Sequence, residues 1–124
     1  MESTKEHEGK LAVITGANSG IGLEASHQLV NLGIQVVMCC RSLERAEEAR
    51  QQILNRDNNV LSKSDIEKNL HIVQLDLADL DNIQSFRSRY NALPVSGLAV
   101  DILILNAGVV SKFFVLSHHV YVSF

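Results

Sequence analysis

Short runs of continuous hydrophobic residues alternate along this chain with longer stretches in which apolar residues recur every three or four positions. Leu11-Ala12-Val13-Ile14 is one such run and predicts a strand buried on both faces, ending at Thr15-Gly16. From Ile21 the apolar residues fall at Ile21, Ala25, Leu29 and Leu32, a helical stripe, and Gly33 stands where a helix C-terminus is closed. Gln35–Cys40 (QVVMCC) predicts a second strand. Ser42 can cap a second helix, with Glu44 in its first turn and a stripe of Leu43, Ala46, Ala49 or Arg50, Ile53 and Leu54. Residues 55–69 are rich in Asn, Asp, Ser and Lys and read as a long surface loop. Residues 70–75 (LHIVQL) predict a third strand. Asp79 caps a third helix carrying Leu80, Ile83, Phe86 and Tyr90; Pro94 and Gly97 close that unit. Ile102-Leu103-Ile104-Leu105 is a fourth strand, ending in Asn106-Ala107-Gly108.

Strands and helices that alternate in this way build successive crossover units. The expected fold class is α/β: a parallel sheet of order 3-2-1-4 with helices on both faces, one half of a doubly wound fold extended by one strand. The chain's 124 residues hold one domain at most. Hydrophobic residues at 46% and charged residues at 20% are ordinary globular values. The net charge of −3 leaves no basic field for nucleic acid or an anionic membrane. No apolar stretch reaches the ~18 residues of a membrane span, and the polar opening MESTKEHEGK has no signal-peptide pattern.

Cys39 and Cys40 are adjacent, so on a strand they face opposite ways and are poorly placed to bridge each other. Free thiols in a reducing compartment, and a cytoplasmic location, are expected. His118 and His119 lack a third ligand at suitable spacing, so no metal site is expected.

The segment Thr15-Gly16-Ala17-Asn18-Ser19-Gly20-Ile21-Gly22 follows the first strand and opens the first helix, the context in which a glycine motif carries meaning. Gly16 permits a sharp turn, Gly20 removes a Cβ so that backbone can approach a pyrophosphate, and Gly22 allows close packing of the helix on the sheet. The free N–H groups and dipole at the helix start favour a diphosphate. Gly16, Asn18, Ser19, Gly20, Ile21 and Gly22 are therefore candidate cofactor contacts.

This turn resembles the TGxxxGxG cofactor signature of the short-chain dehydrogenases/reductases, a Rossmann-type family. Asp76, with Leu77 beside it in LDLAD, resembles the family's aspartate after the third strand, which contacts the adenine ring. Asn106, Ala107 and Gly108 resemble the NAG that closes the fourth strand, where the asparagine steadies the sheet beside the cofactor. GANSGIG together with CCRS is most similar to the retinol-dehydrogenase-like and WW-domain-oxidoreductase-like members. An NAD site usually carries an acidic residue at the end of the second strand. Cys40 stands there and Arg41 follows, so a guanidinium is available to pair with a 2′-phosphate. NADP(H) is the expected cofactor, in preference to NAD.

The resemblance also implies what these 124 residues do not contain. The family's acid/base is a tyrosine in a Tyr-x-x-x-Lys pair, and a serine orients the substrate. Tyr90 is followed four places on by Pro94, and Tyr121 has no fourth position after it. No catalytic residue is therefore assigned, and the chain reads as the amino-terminal, truncated part of an oxidoreductase that interconverts alcohols and carbonyls. Three segments are expected: a polar start (1–9), a cofactor-binding half-domain (10–108) and a divergent tail (109–124), extended and poorly fixed in preference to its VYV folding back as a substitute strand. Without a fifth strand the fourth would be an open edge, able to pair with a full-length homologue or a second copy. A non-catalytic nucleotide-binding or regulatory chain is the alternative.

Overall fold

The computed structural model describes residues 7–106 and the backbone of residues 120–123. In chain order the elements are β1 (Leu11–Thr15), α1 (Gly20–Val30), β2 (Gln35–Cys40), α2 (Leu43–Leu54), α3 (Lys63–Asn69), β3 (Leu70–Gln74), α4 (Leu80–Asn91), β4 (Ile102–Leu105) and β5 (Val120–Ser123). The sheet runs β3-β2-β1-β4-β5 and every pairing is parallel. The expected order 3-2-1-4 is its first four strands.

Alternation along β2 sends neighbouring side chains to opposite faces, and each face has its own core. Ile14, Val36, Met38 and Cys40 pack with Val30 of α1, Ala46, Ala49 and Ile53 of α2, and Ile66 of α3. Leu11, Val13, Val37, Cys39 and Val73 pack on the other face with Val95 and with the half-buried Phe86 and Tyr90 of α4. Helices thus cover both faces, and the two thiols are free, buried and on opposite sides.

Four expectations change. The buried face of α1 is Gly22, Ser26, His27 and Val30, whereas Ile21 is 50% exposed and Leu32 39% exposed. Ala25 and Leu29 of the expected stripe are half-buried and pack against the same core, while Gly22 and Ser26 let the helix approach the sheet closely. Residues 55–69 are not one loop: α3 forms in their second half, with the Ser62 hydroxyl accepting from Asp65 N–H and Ile66 fully buried. On α4 and α2 the first apolar residues, Leu80 and Leu43, are exposed, because each helix begins beyond the edge of the core. Finally, Val120–Ser123 lies beside β4 as a parallel strand, Ile102 opposite Val120 and Leu105 opposite Ser123. The open edge expected at β4 is therefore occupied. The expectation of a poorly fixed tail falls for residues 109–119 outside the described residues.

Local bonds explain where the elements stop. Gly33 has φ +86; its N–H donates to Val30 C=O at 3.0 Å, and Ile34 N–H to Leu29 C=O at 3.3 Å, a closure that needs a left-handed residue. The Ser42 hydroxyl accepts from Arg45 N–H, and the Asp79 carboxylate from the N–H groups of Asp81 and Asn82, as expected for both caps. At the other end of the sheet, β1 and β4 are pinned by Leu11 N–H to Asp101 Oδ2 and Asp101 N–H to Leu11 C=O, both 2.9 Å.

Candidate functional site

Parallel strands deliver their carboxyl ends to one edge of the sheet, and the register shows what arrives there. Thr15 lies beside Cys39, Cys40 beside Gln74, and Ile14 beside Ile104. The glycine turn after β1, Arg41 after β2, Asp76 after β3 and Asn106 after β4 therefore leave the sheet at the same end. That edge, where the strand order reverses between β1 and β4, is where open α/β sheets bind ligands.

The turn is shaped by two left-handed glycines, Gly16 at φ +60 and Gly20 at φ +57. A Cβ on Gly20 would meet nothing within 4 Å, so the space before it is open, as a backbone that receives a phosphate requires. A Cβ on Gly22 would collide with the Gly16 carbonyl and lie 2.5 Å from Asn106 Nδ2. Gly22 thus lets α1 press against the end of β4, the role expected of it.

Asn106 closes this corner. Its Nδ2 donates to Gly16 C=O at 3.1 Å, and its backbone N–H donates to Thr15 Oγ1 at 2.9 Å. Thr15 is buried, and its hydroxyl donates to Ile104 C=O at 3.4 Å. Sequence reasoning assigned Thr15 to the motif without a role; here it welds β1 to β4. Ala107 and Gly108 lie outside the described residues.

Among the four described helices, α1 is the one whose N-cap side chain accepts no bond. Ser19 is extended (φ −157, ψ 163), its hydroxyl makes no cap bond, and no acidic residue occupies the first turn. The other helices satisfy these donors with Ser42, Ser62 and Asp79. The start of α1 therefore keeps N–H groups and a positive dipole end for an anion. Ser19, Gly20 and Ile21 are exposed there, and Asn18 is half-buried.

Beneath the turn, Cys40 accepts hydrogen bonds from the backbone N–H groups of Ala17 and Asn18. Burial outweighs those bonds and pushes its thiol up to about 11; burial, with Cys40 nearby, pushes Cys39 up to about 12. Both stay neutral thiols, unsuited to nucleophilic work. Arg41 is exposed, and among the described residues its guanidinium forms no ion pair.

Asp76 is half-buried and Leu77 49% exposed. One Asp76 carboxylate oxygen accepts from Ala78 N–H at 3.0 Å, and its own N–H donates to Asn82 Oδ1 at 2.8 Å. Asn82 was not foreseen. Its signal is its place three residues after the cap Asp79, where a side chain can reach back over the helix start. Tyr90 packs against Phe86 with ring centroids 5.8 Å apart, and its hydroxyl is buried, in keeping with a core role. Among the described residues no cluster of His, Cys, Asp or Glu is arranged to hold a metal, and no helix is long and apolar enough to cross a membrane. His118 and His119 lie outside the described residues.

The family model for short chain dehydrogenase matches residues 10–120. The chain is 40% identical over 101 residues to short-chain dehydrogenase fogG of Aspergillus ruber, covering 81% of this chain and 26% of that protein. It is 37% identical over 103 residues to retinol dehydrogenase 14 of Mus musculus, covering 82% of this chain and 30% of the relative. A solved structure of the C-domain with NADP of a bacterial malonyl-CoA reductase is similar at TM-score 0.66 and 28% identity, over 86% of this chain and 16% of that one. The chain spans about a quarter to a third of the length of these curated relatives. Its turn, its sheet order and the family match agree, and the chain belongs to the short-chain dehydrogenase family.

Proposed function

We propose that this chain is the cofactor-binding part of an NADP-dependent oxidoreductase that interconverts alcohols and carbonyls. One observation carries the reading: a glycine turn opening on an uncapped helix start, beside a β2 that ends in Cys40-Arg41 rather than in a carboxylate. The residues fit a dinucleotide. The N–H groups at the start of α1, with Asn18, Ser19, Gly20 and Ile21 around them, would hold the diphosphate. Arg41 would pair with the 2′-phosphate, assisted by Ser19 and Asn18, and Asp76 and Leu77 would border the adenine. Asn106 holds the turn in shape beside the nicotinamide half. When bound, the cofactor supplies or accepts a hydride.

Proton transfer to or from the substrate oxygen needs an acid/base within about 3 Å of it, and these 124 residues contain no Tyr-x-x-x-Lys pair. By itself the chain is expected to bind cofactor and turn nothing over. The similar domain solved with NADP supports the choice of cofactor. Calorimetric titration with NADPH and NADH tests it: NADPH should bind more tightly, and Arg41→Ala should remove the difference. Equal affinities in the wild type would refute NADP preference. Turnover of NADPH with a carbonyl substrate at enzyme-like rates would refute the proposed inactivity.

A further inference from the structure

The two residues placed against the adenine-ribose half of the cofactor, Arg41 and Asp76, stand on different loops. A single polar scaffold joins those loops, and its centre is on α4. Arg89 donates from Nε to Gln74 C=O at 3.0 Å and from Nη2 to Asn82 C=O and Asn82 Oδ1, both at 2.8 Å. Its Nη1 donates to Ser85 Oγ at 2.8 Å. Asn82 Oδ1 also accepts the Asp76 N–H at 2.8 Å. Gln74, whose carbonyl Arg89 holds, donates from Nε2 to Arg41 C=O at 3.2 Å. A continuous path therefore runs from Asp76 through Asn82 and Arg89 to Gln74 and Arg41.

The chemistry of these partners favours a positioning role. These acceptors of Arg89 are all neutral oxygens, so its fork is used for geometry rather than for charge pairing. Arg89 is half-buried, with its guanidinium carbon 6.0 Å from the Phe86 ring centroid, so its stem is fixed by packing as well. Asn82 Oδ1 receives two donors at once, which fixes both the amide orientation and the start of the Asp76 loop. Asp76 and Arg89 are 13 positions apart in sequence.

We propose that Asn82 and Arg89 are positioning residues that set the spacing between Arg41 and Asp76, and so the fit of an adenosine carrying a 2′-phosphate. This rests on the reading of Arg41 and Asp76 as cofactor contacts. None of the scaffold's hydrogen bonds reaches the start of α1, so the diphosphate cradle should not depend on it.

The test is calorimetric titration of the full chain with two probes, adenosine 2′,5′-bisphosphate and inorganic pyrophosphate. Asn82→Ala should weaken the adenosine probe by about tenfold, the ratio that loss of one well-placed hydrogen bond gives, and leave pyrophosphate unchanged. Asn82→Asp keeps an oxygen for both donors and should restore binding to within about twofold. Arg89→Gln should behave as Asn82→Ala does. The Asp76 amide proton, followed by NMR, should lose its hydrogen-bonded shift in Asn82→Ala and regain it in Asn82→Asp. If Asn82→Ala binds the adenosine probe as the wild type does, or weakens both probes equally, the positioning role is wrong. A wild type that fails to bind the adenosine probe overturns the cofactor reading, and this inference with it.

Discussion

One added carbon at residue 22 would meet the Gly16 carbonyl and Asn106 Nδ2, whereas the same carbon at residue 20 would point into open space. The two glycines are thus required for different reasons, one by packing and one by its positive φ. Gly22→Ala should cost roughly 1–3 kcal/mol, because neither the backbone carbonyl nor the half-buried amide can retreat without losing their bond. Gly20→Ala should cost roughly 1–2 kcal/mol through φ alone. Urea unfolding of both variants measures this; an unchanged midpoint for Gly22→Ala would contradict the close approach of α1 to β4. The need for glycine at these positions was legible from spacing after a strand. The Thr15–Asn106 weld and the Asn82–Arg89 scaffold were not, because the weld joins residues 91 positions apart and the scaffold ties α4 back to Asp76 and Gln74, contacts that depend on tertiary register.

Helix capping is the feature at element scale that sequence conveys best. Ser42 and Asp79 act as their side-chain chemistry dictates, and Asp79→Ala should destabilise the chain by about 1 kcal/mol in thermal or urea unfolding, by releasing the N–H groups of Asp81 and Asn82. Apolar counting served less well for α1, since it ranks Ile21 and Leu32 above Gly22 and Ser26. The sheet selects the face that fits closely. It also missed α3, whose KSDIEKN offers one apolar residue, Ile66, in a polar run too short to show a period. That helix depends on its cap and its anchor in the core.

β3 carries a titration with a definite sign. Burial, and then the charge of Arg50, hold His71 below the ordinary imidazole range, while its Nε2 lies 2.7 Å from Gln35 Oε1. Between its folded value and about 6.5 the unfolded chain binds more protons, so stability rises with pH across that window and is lost as pH falls through it. Urea midpoints at pH 7.5 and pH 5.5 should therefore differ, and His71→Gln should narrow the difference. An identical pH dependence in the variant would contradict the assignment.

For the whole molecule, the alternation of continuous and periodic hydrophobic runs is enough to yield the class and the order of β3, β2, β1 and β4, because crossover handedness and two-sided burial leave few other arrangements. β5 was legible only as an alternative to a poorly fixed tail: VYVS is short and follows a segment without turn or helix signals, and its pairing to β4 is non-local. The site follows from this architecture. Four loops leave the same end of the sheet, and one of them opens on a helix whose first N–H groups lack a side-chain partner. The central claim is that this edge binds a dinucleotide through α1 and selects the 2′-phosphate through Arg41. Calorimetry of the 124-residue chain with NADPH, NADH and the Arg41→Ala variant tests it most directly. A charge-assisted pair worth roughly 1.5–3 kcal/mol predicts NADPH binding about ten- to a hundredfold tighter than NADH, with the advantage lost in Arg41→Ala. Equal binding of the two nucleotides by the wild type, or binding of neither, would contradict it.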